Sequence, residues 1–240
     1  MNSSLVVDIG NTQIKLGVFS KGKFKHQHIF QKSTSAINYI TNHKFDGIIV
    51  SSVGKVSQEL TTVLNTYNTL YLSHTTKLPV KNNYRTPESL GVDRIAGVVG
   101  ANALFPHVNN LVIDMGTCIT YDYIDAEGIY WGGGISPGMN LRFRAMSDHT
   151  VNLPNAEFDD PIGLLGNTTI TCIQSGVING ICEELNGIIN RYQSEKGDIN
   201  VILCGGDANS FESKIKAHIF ASPKLVLIGL NRILEYNENN

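Results

Sequence analysis

The sequence predicts a mixed α/β protein of two similar lobes, each a mixed sheet with helices, and three observations carry that expectation. The first is an internal repeat. Leu5-Val6-Val7-Asp8-Ile9-Gly10 recurs as Leu111-Val112-Ile113-Asp114-Met115-Gly116, an offset of 106 positions (114 less 8) that also relates Gly22 to Gly128. Apolar strand sequences match by chance, but an Asp and two Gly in register do not readily do so, and the pattern reads as a duplication. The second is that each copy is followed by another apolar run, Ile14 to Phe19 or Ile119 to Ile124, so each half opens as a β-hairpin. The third is that strand and helix signals then alternate in both halves. That order predicts two lobes with a cleft between them rather than one doubly wound sheet.

In the first half, Lys23 to Phe30 is a third strand and Ser33 caps a helix to about Thr41. Gly47 to Ser52 is a buried strand, Val56, Leu60, Val63, Leu64 and Tyr67 mark one helical face, and Leu70 to Leu72 is a short strand. Gly91-Val92-Asp93-Arg94 opens a helical pattern that continues through Ile95, Val98 and Val99. Pro106 and the paired Asn109-Asn110 interrupt the periodicity, which places the boundary between lobes at 1–108 and 109–240. In the second half, Gly128 to Gly132 is the third strand, and a helix runs from Met139 to Met146. Ile170, Ile173, Val177, Ile181, Leu185, Ile188 and Tyr192 then trace one long amphipathic helix. Val201 to Cys204 is a strand ending at Gly205-Gly206-Asp207, and Tyr236 to Asn240 is a polar tail.

Composition removes several classes of function. With 240 residues, 42% hydrophobic and 17% charged, the chain is neither disordered, collagenous nor a coiled coil. A net charge of −2 and a pI near 6.4 supply no basic field for nucleic acid, which is not an expected partner. Met1-Asn2-Ser3-Ser4 carries no positive side chain and Leu5-Val6-Val7 stops at Asp8, so neither a signal peptide nor a membrane span is expected and the compartment is the cytoplasm. The four cysteines form no CxxC and read as reduced thiols. Seven histidines show no metal-ligand spacing, and His26-x-His28 reads as a solvated strand face. There is no GxSxG elbow and no GxxxxGK[ST] loop, which excludes the corresponding hydrolases and P-loop enzymes.

The chemistry concentrates at the two Asp-x-Gly turns. In Asp8-Ile9-Gly10-Asn11-Thr12 a carboxylate ends a strand, and the turn after it offers unencumbered backbone N–H groups and a hydroxyl, a cradle for phosphate oxygens. Lys15, three residues beyond Thr12, adds a point charge. A lone copy is as well explained by an ordinary hairpin, since Asp and Asn form turns. The second copy, Asp114-Met115-Gly116-Thr117, favours the functional reading, because two such turns facing one cleft bring two carboxylates to one polyphosphate. Mg²⁺ needs few carboxylates when phosphates supply the rest of its shell. Asp93 falls in a first helical turn, where the dipole favours a negative charge; it suits either a proton acceptor or a capping residue paired with Arg94. Arg94 offers a fork for a carboxylate, or a surface ion pair. Tyr84 lies on a polar, Pro-containing loop, where rings line ligands or pack over the chain.

Taken together, Asp8-Ile9-Gly10-Asn11-Thr12, Gly91-Val92-Asp93-Arg94, Asp114-Met115-Gly116-Thr117 and Gly132-Gly133-Gly134-Ile135-Ser136-Pro137-Gly138 resemble type III pantothenate kinases, in order and spacing across almost the whole chain. The resemblance implies duplicated RNase H-like lobes of the actin-like ATPase and sugar-kinase superfamily, with an ATP cleft between them. It implies phosphorylation of pantothenate to 4′-phosphopantothenate, the first step of coenzyme A synthesis. Asp8, Ile9, Gly10, Asn11, Thr12, Gln13, Ile14, Lys15 and Thr117 would then bind ATP, with Asp8 also serving Mg²⁺ through the nucleotide. Asp114 would hold a monovalent cation, K⁺ or NH₄⁺, and Asp93 would be the catalytic base. Tyr84, Gly91, Val92, Asp93, Arg94 and Thr169 would bind pantothenate, with Thr168 matching within one position. A homodimer is implied as well. The competing readings are another small-molecule kinase of the superfamily, acting on a sugar or hydroxy acid, and a non-catalytic nucleotide-sensing module.

Overall fold

The computed structural model describes residues 2–10, 12–54 and 56–238. The chain opens with three strands, β1 (Ser3–Ile9), β2 (Ile14–Ser20) and β3 (Lys23–Phe30), followed by α1 (Ser33–Thr41), β4 (Gly47–Ser52), α2 (Gln58–Leu64), β5 (Thr69–Tyr71), a two-residue β6 (Lys81–Asn82) and α3 (Val92–Leu104). The pattern then restarts with β7 (Asn109–Met115), β8 (Cys118–Ile124) and β9 (Ile129–Pro137). After these come α4 (Met139–Asp148), α5 (Thr169–Lys196), β10 (Ile199–Cys204), the single turn α6 (Ala208–Phe211), β11 (Ile219–Ala221) and α7 (Leu225–Glu238). Two compact units result. The first takes in the chain as far as His107, together with Ile124–Trp131 and the segment from Lys224 onward; the second takes in Val108–Tyr123 and Gly132–Pro223.

In the first unit the strands order as β3-β2-β1-β4-β5. β1 is antiparallel to β2, which sets Asp8 opposite Lys15, and parallel to β4, which sets Asp8 beside Ser51. Leu5, Val7, Leu16, Ile48 and Val50 pack one face against Ala36 and Ile40 of α1 and Leu60 and Leu64 of α2. β1 and β4 read as unbroken apolar runs because both of their faces are covered, the second by α7 and α3. Gly17 of β2 admits the Leu227 side chain of α7, for a Cβ there would lie 3.2 Å from Leu227 Cδ1. Ser57 caps α2 by accepting from the Leu60 N–H at 3.3 Å. Ser33 does not cap α1 as expected. Lys32 is the extended N-cap residue, and its carbonyl accepts from Ser35 and Ala36, so the backbone closes the first turn without a side-chain cap.

The second sheet repeats the scheme as β11-β10-β7-β8-β9, with β6 added at the β9 edge where Lys81 and Asn82 pair with Ile129 and Tyr130. Ile173, Val177, Ile181, Leu185 and Ile189 of α5 pack on Leu111, Ile113, Val201 and Leu203. α5 is longer than its apolar face suggested, 28 residues, because Thr168 and Thr171 form a reciprocal capping box at its start and Gly197, at φ 75°, ends it. Its first apolar residue, Ile170, points to solvent. The third strand of this half also runs past Gly132, to Pro137. Glycine is needed there: a Cβ on Gly133 would fall 1.7 Å from the Tyr121 carbonyl. Of the expected polar tail, Tyr236 to Glu238 are helix, since α7 continues to Glu238 and Asn237 donates to the Lys77 and Ile233 carbonyls, and Asn239 and Asn240 lie outside the described residues. Among the described residues no helix is long and apolar enough to cross a membrane.

The solvated reading holds for His26, which is exposed, and is corrected only for His28, half-buried where α1 lies against β3. His28 packs 4.4 Å from the Tyr39 ring, His43 stacks on Tyr39 at 4.2 Å, and His26 Nε2 is 3.1 Å from the Tyr39 hydroxyl. Burial first, then His26 and His43, hold His28 below its ordinary pKa of 6.5. The unfolded chain therefore binds more protons than the folded one below pH 6.5, and stability falls as the pH drops through that value toward the lower folded pKa. Melting followed by circular dichroism at pH 7.5 and 5.5 should show a smaller acid-induced loss in His28→Gln than in the parent chain.

Candidate active site

The first Asp-x-Gly turn is built by β1 and β2. Gly10 N–H donates to the Gln13 carbonyl at 3.0 Å, closing the turn, with Thr12 and Gln13 exposed, Ile9 and Ile14 buried at its base, and Asn11 outside the described residues. Asp8 looks across the hairpin to Lys15. Burial raises the Asp8 carboxyl above the usual carboxylate range; Lys15 opposes this, the Asp93 charge adds to it, and Ser51 lowers it slightly. Ser51 Oγ is fully buried beside Asp8 and has no partner in hydrogen-bond geometry. A carboxylate raised by burial and by a second acid, beside an unsatisfied hydroxyl, is a site that a cation would relieve.

Asp93 reaches this neighbourhood from the first turn of α3. Its Oδ1 accepts from the Arg94 N–H at 2.9 Å. Gly91, the N-cap residue, has to be glycine for that carboxylate to sit where it does: a Cβ would lie 2.6 Å from Asp93 Oδ1. Val92 opens the helix half-buried, and Arg94, buried, sets its guanidinium 5.7 Å from the centre of the Tyr84 ring. Tyr84 stacks nearly parallel on Tyr130, with centroids 6.1 Å apart, and its N–H donates to the Asn82 side chain at 3.0 Å. Tyr130 escaped sequence reasoning because it follows a turn in what reads as an ordinary strand; its role comes from the β6–β9 pairing, which local pattern does not encode. The structure thus brings Asp8, Lys15, Asp93, Arg94, Gly91 and Tyr84 into the first unit.

Asp114, Thr117 and Thr169 belong to the second unit. Gly116 N–H donates to the Cys118 carbonyl at 3.0 Å, a tighter turn than its counterpart at Gly10. Glycines press on this turn from two directions. A Cβ on Gly205, at φ +96°, would come 2.5 Å from Asp114 Oδ1, and one on Gly138 would come 2.2 Å from the Gly116 carbonyl. Thr117 is exposed. Thr168 commits its hydroxyl to the α5 cap, accepting from Thr171 N–H at 3.2 Å, while Thr169 stands exposed as the first helical residue.

Comparison with known proteins decides the family. The profile described as type III pantothenate kinase matches residues 4–191, well over half of the chain. The chain belongs to the type III pantothenate kinase family. The type III pantothenate kinase of Phocaeicola vulgatus is 42% identical over 241 residues, covering 98% of this chain and 99% of its own; that of Cytophaga hutchinsonii is 41% identical at the same coverage. Among solved structures, component A of the (R)-2-hydroxyglutaryl-CoA dehydratase of Acidaminococcus fermentans superposes with a TM-score of 0.56 at 14% identity, covering 98% of this chain and 97% of that one. A glucokinase from an Antarctic psychrotroph gives 0.52 at 12%, covering 98% and 99%. At such identities the likeness is one of fold, and this type III pantothenate kinase has the mixed α/β architecture of the actin-like ATPases and sugar kinases.

Proposed function

We propose that this type III pantothenate kinase transfers the γ-phosphoryl group of ATP to the primary hydroxyl of pantothenate, giving 4′-phosphopantothenate and ADP at the entry to coenzyme A synthesis. The hydroxyl oxygen forms a bond to the γ-phosphorus, the bond from phosphorus to the β–γ bridging oxygen breaks, and the hydroxyl proton passes to Asp93. The observation that carries this reading is the grouping of Asp93, Arg94 and Tyr84 with the Asp8 and Lys15 hairpin in one unit. The transition state is loose, so the acceptor needs placement more than strong deprotonation, and an Asp held by the Arg94 N–H is suited to that. Arg94 takes the pantothenate carboxylate, Tyr84 packs on the substrate, and Gly91, Val92 and Thr169 complete its contacts. Ile9 to Ile14 and Lys15 take the phosphates, with Thr117 of the second repeat as a further ATP contact. The units of duplication are proposed as 1–108 and 109–240.

A divalent ion would be held largely by the nucleotide phosphates, with Asp8 its protein partner. Mg²⁺ would supply charge neutralisation on the transferring phosphoryl group. Asp114, cradled by Gly205, suits a monovalent cation, K⁺ or NH₄⁺. A homodimer is proposed on the family likeness alone, and sedimentation at two concentrations reads it. The four cysteines are free thiols, in keeping with the cytoplasm.

The deciding experiment is ADP release with and without pantothenate, in potassium and in sodium buffers, against a panel of sugars and hydroxy acids. Pantothenate-dependent release that is faster in potassium supports the proposal, and faster turnover of another acceptor overturns it. Asp8→Asn should weaken ATP binding by about tenfold, the scale of one charge-assisted contact, as read by calorimetry. An affinity equal to the parent's would remove Asp8 from the nucleotide site.

A further inference from the structure

A polar node in the second unit has no part in the assignments above. Arg142 of α4 donates through Nε to the Pro137 carbonyl at 2.8 Å and through Nη2 to Ser136 Oγ at 2.9 Å and to Glu184 Oε2 of α5. The other Glu184 oxygen accepts from the Tyr121 hydroxyl of β8 at 2.7 Å. Both charged side chains are roughly three-quarters withdrawn from water, at 21% and 23% exposure, where a paired guanidinium and carboxylate hold geometry better than at an open surface. Burial, then Glu184, raises the Tyr121 phenol far above its ordinary value, so it remains a donor; Glu184 is lowered by Arg142, Tyr121 and Ser136 against the opposing effect of burial, so it remains an acceptor.

What the node grips is the end of β9. Residues 136 and 137, both bonded by Arg142, lead directly into Gly138, whose N–H donates to the Thr117 carbonyl at 3.0 Å and whose Cα rests on the Gly116 carbonyl. The strand end that walls the Asp114–Thr117 turn is thus bonded by one guanidinium in addition to its place beside β8. We propose that Arg142 is a positioning residue for that turn, acting through Ser136, Pro137 and Gly138, with Glu184 and Tyr121 holding the guanidinium in place. The proposal rests on the reading of Asp114 and Thr117 as nucleotide- and cation-side groups. It deepens that reading, since the second repeat then has its own device for setting the turn, where the first repeat relies on the Gly10–Gln13 bond.

Arg142→Lys keeps the charge but loses the planar fork, and Glu184→Gln keeps the shape but loses the charge. Each is expected to raise the KM for ATP, and the potassium concentration for half-maximal rate, by about tenfold, while the KM for pantothenate stays within about twofold. The double variant should be little worse than either single one, because both break the same linkage. A purely structural role would instead lower the melting temperature and leave both KM values alone, and that result, or equal rises in both, overturns the proposal. Should Arg142→Lys not fold, Ser136→Ala removes one neutral acceptor only and is expected to raise the ATP KM by about threefold; an unchanged value counts against the assignment equally. Calorimetric ATP binding without any acceptor, run on the same variants, keeps this test separate from the identity of the substrate. A parent chain that binds ATP but ignores pantothenate would sink the kinase reading while the variants still report on the turn.

Discussion

Asp93→Asn is expected to lower turnover by about two to four orders of magnitude while ATP affinity stays within about twofold of the parent. The substitution is nearly isosteric, so the amide can still accept from the Arg94 N–H at the position Oδ1 now holds, and the first turn of α3 should stay formed. What disappears is the group that receives the proton and orients the attacking oxygen. Steady-state rates with pantothenate varied, beside calorimetry with ATP alone, separate the two effects. Turnover within about threefold of the parent would remove Asp93 from the reaction. A fall in ATP affinity equal to the fall in rate would instead identify Asp93 as part of the nucleotide site, where its charge already acts on Asp8.

Gly229→Ala is expected to destabilise the chain by about 3 kcal/mol, the upper end for an overpacked contact, and to lower its melting temperature by on the order of 10 °C. α7 and α3 cross with their backbones in contact. A Cβ on Gly229 would lie 1.8 Å from the Ala96 carbonyl oxygen and 2.8 Å from Gly100 N, and one on Gly100 would lie 2.4 Å from the Leu225 carbonyl. No rotamer change relieves a clash between backbones, so the helices must part. α3 carries Asp93 and Arg94 at its start, so activity should fall beyond what the loss of folded protein explains. Gly187→Ala is the control. A Cβ there meets nothing within 4 Å, and alanine in an exposed helical position should raise stability by up to about 1 kcal/mol. A Gly229→Ala protein that melts with the parent would show that the two helices slide apart freely.

Much of the fold was legible in the sequence because its strongest signals are local. Asp8-x-Gly10 and Asp114-x-Gly116 announce their strand ends and turns, and the three-and-four spacing from Ile173 to Tyr192 announces α5. The strand order shared by the two sheets, β6 aside, follows from the duplication. What was not legible depends on partners distant in sequence. Tyr130 matters through a parallel pairing with residues some fifty positions earlier, and Ser51 through its place beside Asp8. His28 read as solvated because alternation along β3 says nothing about α1 lying against it. Gly100 and Gly229 give no signal at all, since a glycine in an apolar helix looks the same whether it meets a backbone or open space.

The return of α7 to the first unit carries a consequence for how the protein is made. The strands bearing Asp8 and the helix bearing Asp93 are translated well before α7, which seals one side of their sheet. The amino-terminal portion must wait, with apolar surface such as that around Gly17 uncovered, until residues 225–238 have left the ribosome. A free polypeptide truncated after β11 would therefore hold every element of the second unit and lack the helix that covers the first unit's sheet.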